Sequence, residues 1–304
     1  MIDTHKLKKL FMKGIISIFV MPQELEDLAS TLDRLKRNSI YLDGSVKYKI
    51  DITMSLSNEL TDWENSKLPK EYIKERTEEL CEKYLDWCEY HLEFDNENVL
   101  GCVSQRRQSW KNNEDADFFI WLDCDILFKD TTMFYMEYAF KTLKENELKN
   151  FVITPEFVKQ WDNTWDVVVN KKYWGYPTNF HLDADIYKES LPQLEEMSLK
   201  EIQTFKFAGG WFTLISKDLL DRIGVPESFG HYGLEDTFIM VCSMLMQRNN
   251  EVVSQFVLEN LLVGENHKNR TNKTIKNYIK SIDRKEEFKK IAHSNWENEI
   301  NKFN

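Results

Sequence analysis

Two aspartates one residue apart, Asp123 and Asp125, follow a short run of five apolar residues, Phe118-Phe119-Ile120-Trp121-Leu122. Such a run reads as a strand buried on both faces. In open α/β sheets, ligands gather beyond the carboxyl ends of the strands. Alternate residues of an extended segment point the same way, so the two carboxylates can share one task. Hard cations such as Mn²⁺ or Mg²⁺ accept carboxylate and phosphate oxygens together, which makes Asp123-Cys124-Asp125 a candidate metal and phosphate edge.

A second cluster lies about a hundred residues later. Phe207-Ala208-Gly209-Gly210-Trp211 is followed by Gly230-His231-Tyr232-Gly233-Leu234-Glu235-Asp236. The adjacent glycines Gly209 and Gly210 let backbone approach a ligand closely. Glu235 and Asp236 open a helical pattern, where the terminal dipole favours anions, and either could serve as a general base for a hydroxyl. His267 follows the strand-like Leu258–Val263. It gains interest only from the acidic site upstream.

The elements that would position these groups alternate strand and helix. Strands are expected at 15–21, 48–56, 118–122, 151–154, 211–215 and within 252–263. Helices are expected at 25–35, 71–94, 104–113, 133–148, 217–223 and 235–247. A short strand is expected at 99–103, loops at 58–69, and irregular chain at 155–206. This order predicts an α/β fold: one Rossmann-like domain with an open, mostly parallel mixed sheet flanked by helices. The expected domain spans 1–268. A basic, helical tail over 269–304 packs on it or closes over it. From Lys268 onward ten Lys or Arg face five Asp or Glu. Such a tail could cover a diphosphate or touch an anionic membrane peripherally.

Composition narrows the function classes. The 304 residues are 42% hydrophobic, enough for one large core. The net charge of −11 is the wrong sign for a partner that tracks nucleic-acid phosphates. The five cysteines form no CxxC pair, a usage that suits a reducing compartment and a cytoplasmic location. Lys6, Lys8, Lys9 and Lys13 before the apolar run 15–21 imitate a signal peptide, but Pro22-Gln23-Glu24 follows where a small-residue cleavage site would stand. No run reaches the ~18 apolar residues of a spanning helix.

Taken in order, these segments resemble the inverting GT-A glycosyltransferases, in particular the β-1,4-galactosyltransferases and related family 2-like enzymes. IISIFVMPQELEDL is similar to their first strand and helix. QRRQSWKNNEDADFFIWLDCDILFKD is similar to their Arg-bearing helix, strand and DxD. AGGWFTLISKDLLDRIGVPESFGHYGLEDTFI is similar to their glycine pair and acceptor motif, and ENHKNR to their late metal-binding His. The resemblance spans roughly residues 14–270 with long unmatched stretches.

It implies a metal-dependent transferase that moves a sugar from a nucleoside diphosphate sugar, a UDP-sugar by default, to a glycan hydroxyl with inversion. Asp125, as the direct ligand, Asp123 and His267 would form the site for Mn²⁺ or Mg²⁺, with Asp123 nearer the donor's ribose or sugar. Arg106 or Arg107 would lie near the donor, as would Gly209 and Gly210. Asp236 would be the catalytic base. Glu235, Tyr232 and Trp211 would meet the acceptor. There are departures: Gly264 stands where the galactosyltransferases offer a Met ligand, Leu234 replaces the Gly before Glu-Asp, and 53–57 lacks the Asp that reads the base. His181, Asp183 and Asp185 are a further, weaker cluster. A retaining GT-A transferase and an inactive nucleotide-sugar or glycan-binding protein are the alternatives. The His-x-x-Gly-x-x-Lys motif of the former is absent from His267-Lys268-Asn269-Arg270.

Overall fold

The computed structural model describes residues 11–64, 66, 68–95, 101–158, 198–202, 211–265 and 281–303. Among the described residues, nine strands form one sheet: β1 (Met12–Val20), β2 (Val46–Ser55), β3 (Glu89–Asp95), β4 (Phe118–Leu122), β5 (Ile126–Phe128), β6 (Phe151–Val158), β7 (Ser198–Ile202), β8 (Phe212–Ser216) and β9 (Ser254–Glu265). Their spatial order is β3-β2-β1-β4-β8-β6-β9-β5, with β7 also paired to β9. The helices are α1 (Leu25–Ser39), α2 (Lys70–Tyr84), α3 (Cys102–Lys111), α4 (Thr132–Glu145), α5 (Lys217–Ile223), α6 (Glu235–Arg248) and α7 (Ser281–Ile300). The sheet is α/β and mixed. Strands β3, β2, β1 and β4 run parallel, and β8 enters antiparallel beside β4.

β4 shows why the sheet is covered on both sides. All five of its residues are buried. Because side chains alternate along a strand, Phe118, Ile120 and Leu122 join the core under α1, α2 and α4. Phe119 and Trp121 join the opposite core, with residues of α3, α5, α6 and α7. A run without polar positions is what two apolar layers require.

The helix expected over 71–94 ends at Tyr84, and Glu89–Asp95 is instead β3, an edge strand. Its Glu89, Tyr90 and His91 are exposed, so the apolar alternation that marks a covered strand is missing. Residues 101–103 are not strand, since α3 begins at Cys102. β5 and β7 were not expected from the sequence, and β7 lies in chain read as irregular. The cluster His181, Asp183 and Asp185 lies outside the described residues, as do Gly209, Gly210 and His267.

Candidate active site

The carboxyl end of β4 opens onto a cavity of about 270 Å³. Asp123, Cys124 and Asp125 line it, together with Glu24, Arg106, Trp211, Tyr232, Glu235 and Asp236. Two motifs a hundred residues apart in the chain thus face one space.

The loop after β4 is fixed from below by polar residues of α1. Thr31 Oγ1 donates to the carbonyl of Cys124 at 2.6 Å, and Arg34 donates to the carbonyl of Phe128 at 3.0 Å. Asn38 donates to the carbonyl of Lys129 and accepts from the backbone N–H of Met133. These side chains are buried, and each bonds backbone between the end of β4 and the first turn of α4. From the other side, the N–H of Asp123 donates to the carbonyl of Trp211 at 3.0 Å. Glu24 ends a short 3-10 turn after β1, and its carboxylate accepts from the N–H of Met21 at 2.9 Å.

The opposite wall is the turn 230–234. Gly230, Gly233 and Leu234 all have positive φ, at 71°, 94° and 71°. Leu234 occupies the position where the resembling family carries glycine. A leucine held there stores about 1–3 kcal/mol of backbone strain, at the residue that caps α6 and orients Glu235 and Asp236. The turn is clamped to the start of α3. A Cβ on Gly101 would lie 2.0 Å from the carbonyl oxygen of His231, so only glycine permits this approach. The N–H of Val103 donates to that same carbonyl at 3.1 Å, and Ser104 Oγ lies 3.1 Å from His231 Nδ1.

Arg106 joins the two walls. One guanidinium nitrogen donates to Asp123 at 2.8 Å and another donates to Glu235. The group also lies 5.0 Å from the centre of the Trp121 ring. Burial opposes its charge, but the carboxylates of Glu235 and Asp123 outweigh that and hold its pKa above the ordinary arginine value. Burial pushes Glu235 above the usual glutamate range and Asp236 adds to it, against the pull of Arg106. Tyr232 is likewise raised, mainly by burial and then by neighbouring thiol and carboxylate groups. One oxygen of Asp236 accepts from the N–H and Oγ1 of Thr237, at 2.6 and 3.2 Å.

Arg107, the other arginine expected near the donor, does not line the cavity. It donates to the carbonyls of Pro226 at 2.8 Å and Gly230 at 3.3 Å, so it braces the turn from outside. Successive helical residues point ~100° apart, and only one of the pair can face inward. Glu24, Cys102 and Lys289 also line the cavity and were not singled out in the sequence. They are brought there by folding, and no local spacing marks them.

Oxygen donors for a hard cation are present in Glu24, Asp123 and Asp125. Among the described residues, no group of three or more His, Cys, Asp or Glu side chains is placed to hold a metal by itself. The donor set therefore suits a cation that takes its remaining ligands from a bound phosphate. Among the described residues, no cysteine forms a disulfide. Among the described residues, no helix is long and apolar enough to cross a membrane.

No protein-family model matches the chain, and no curated protein matches it. Among solved structures, it is similar to S. aureus TarS 1-349 in complex with UDP, with a TM-score of 0.50 and 14% identity over 83% of this chain and 60% of that one. It is similar to S. aureus TarS with a TM-score of 0.50 and 13% identity, over 84% of this chain and 36% of that one. A mannosyltransferase from Pyrobaculum calidifontis, PcManGT in complex with GDP-Man and Mn²⁺, aligns with a TM-score of 0.49 and 11% identity, over 84% of this chain and 58% of that one. The chain thus spans less than two thirds of each of these proteins. At such identities the likeness is one of architecture, and the chain has the GT-A glycosyltransferase fold.

Proposed function

We propose that the chain is a metal-dependent, inverting glycosyltransferase that moves a sugar from a nucleoside diphosphate sugar to an acceptor hydroxyl of a glycan. The observation that carries this reading is the meeting of Asp123 and Asp125 with Glu235 and Asp236 in one cavity at the carboxyl end of a GT-A sheet. The first pair suits a cation and phosphates, and the second suits a hydroxyl. A UDP-sugar is the donor we favour, on the sequence resemblance.

Mn²⁺ or Mg²⁺, held by Asp125, Asp123 and His267, would supply Lewis-acid stabilisation of the departing diphosphate. The protein's own residues do the rest. Asp236 accepts the proton of the acceptor hydroxyl as that oxygen bonds to the anomeric carbon. The bond from the anomeric carbon to the diphosphate oxygen breaks, and the nucleoside diphosphate leaves with the electron pair. Attack from the face opposite the leaving group inverts the centre. Glu235 meets the acceptor, and its ion pair with Arg106 fixes its place. Arg106 is a positioning residue that ties Glu235 to Asp123. Tyr232 and Trp211 offer flat apolar surface to a sugar ring, and on the sequence resemblance Gly209 and Gly210 would lie near the donor.

The test is nucleotide release from a panel of nucleoside diphosphate sugars with Mn²⁺, with and without glycan acceptors. Asp236→Asn should keep donor affinity and lower kcat by about 10²–10⁴, because the amide keeps the shape and accepts no proton. Glu235→Gln should instead raise the acceptor KM. Wild-type transfer by Asp236→Asn, with Glu235→Gln inactive, would reverse the roles. Full activity of both would remove the inverting mechanism.

A further inference from the structure

The cavity described above is lined by five carboxylates, Glu24, Asp123, Asp125, Glu235 and Asp236. Among the described residues its lining holds two cations, Arg106 and Lys289. Arg106 already donates to Asp123 and to Glu235. Its charge is spent within the protein. Lys289 is differently placed. It belongs to α7, beyond the stretch that resembles known enzymes, and its partner is Glu286 on the same helix at 3.0 Å, with both side chains substantially exposed. An exposed pair of this kind is worth little and exchanges readily.

The helix that carries Lys289 is anchored to the site. Phe288 is buried against Met21 and Leu60, in a cluster that Phe19 and Tyr232 adjoin, and its ring meets His231 edge-on at 5.4 Å. Further along, Trp296 stacks on Phe229. Asn295 donates to the carbonyl of Ser228, and Ser228 donates to Glu299. The stem of Lys289 crosses the turn where a Cβ on Gly233 would lie 3.1 Å from its Cγ, so the missing side chain at 233 leaves its path open. Its ammonium stands 5.9 Å from the centre of the Tyr232 ring. A cation is therefore delivered by a packed helix to the rim of an acidic cavity.

We infer that Lys289 is a donor-binding residue, which contacts the diphosphate of the nucleotide and neutralises the leaving group. This rests on the transferase reading given above. A site with five carboxylates repels a dianion unless cations offset them, and a flexible ammonium at the rim can swing from Glu286 to a phosphate oxygen. Charge-assisted contacts of this type are among the stronger hydrogen bonds.

The experiment is calorimetry of UDP, UMP and GDP binding in the presence of Mn²⁺, with wild type, Lys289→Ala, Lys289→Arg and Lys290→Ala. Lys290 is the exposed neighbour on α7 and controls for net charge. We expect Lys289→Ala to weaken the nucleoside diphosphate by about tenfold or more and the monophosphate by less than about threefold. Lys289→Arg should restore most of the affinity, and Lys290→Ala should match wild type. Thermal melts matching wild type would show that α7 stays docked. If wild type binds UDP or GDP and Lys289→Ala binds it equally well, the inference fails and the transferase reading stands. Equal losses for diphosphate and monophosphate, or for Lys290→Ala and Lys289→Ala, also overturn it. If wild type binds no nucleoside diphosphate, the transferase reading fails and takes the inference with it.

Discussion

The two walls of the cavity are built by different means. The Asp123–Asp125 wall continues a fully buried central strand, is strapped by α1, and needs no positive-φ residue. The 230–236 wall is a turn with three positive-φ residues in seven, held in place by contacts from α3 and α7. A strand end is positioned by the sheet itself. A strained turn is positioned only while its neighbours over-determine it. The first wall therefore suits groups that must be fixed, such as ligands of a cation, and the second suits an acceptor site that could be re-shaped without disturbing the core.

Breaking the link between the walls should have the largest effect. Arg106→Ala leaves Glu235 buried with its charge uncompensated, and losing one partner of a buried pair costs about 3–5 kcal/mol. Glu235→Gln should cost clearly less, because Arg106 keeps Asp123. Urea unfolding of the two variants checks this ranking. Equal losses would mean that the walls are not joined through Arg106. Replacing both partners with apolar residues of similar volume should recover much of the stability while activity stays low.

A smaller effect is expected from outside the cavity. Arg107→Ala removes two hydrogen bonds to the carbonyls of Pro226 and Gly230, each worth on the order of 1 kcal/mol in net terms. It should loosen the turn wall alone. Hydrogen exchange should quicken at residues 226–236 and stay unchanged at 118–128. A uniform increase across both segments would erase the distinction drawn between them.

The smallest expected effect is a pH slope. Burial, and then the charge of Arg107, hold His231 below its ordinary value of 6.5, with Asp95 opposing. A depressed histidine favours the folded state while neutral, so its contribution is present above about pH 6.5 and is lost as the pH falls toward the folded pKa. His231→Gln should flatten the loss of stability as the pH falls below about 6.5. An unchanged slope would show that the turn wall does not sense protonation at this residue.

Much of the first wall was legible in the sequence, and less of the second. Phe118–Leu122 carries no polar position, and a strand covered on both faces follows directly from that. The strand Glu89–Asp95 was hidden because its exposed residues are those of a sheet edge, and its charged run continues the pattern of α2. Arg106 and Arg107 could not be told apart, because one residue of helical phase decides which faces inward and the sequence does not fix that phase. Lys289 and Glu24 were invisible for another reason. Each reaches the cavity through packing between elements far apart in the chain, and no local spacing marks either as a site residue.

The strand order also bears on how the chain assembles. β4 is flanked by β1 on one side and by β8 on the other, so the central strand is completed by segments that lie about a hundred residues away in each direction. Contacts of that separation form late and slowly, since loop closure must precede the gain from pairing. α7 is the last of the described elements, and it packs on Met21, Leu60 and the turn at 227–230. On a ribosome, the site would stay open until the last described helix had emerged, and a chain stopped before Ser281 would carry a finished sheet with one wall of its cavity unsupported.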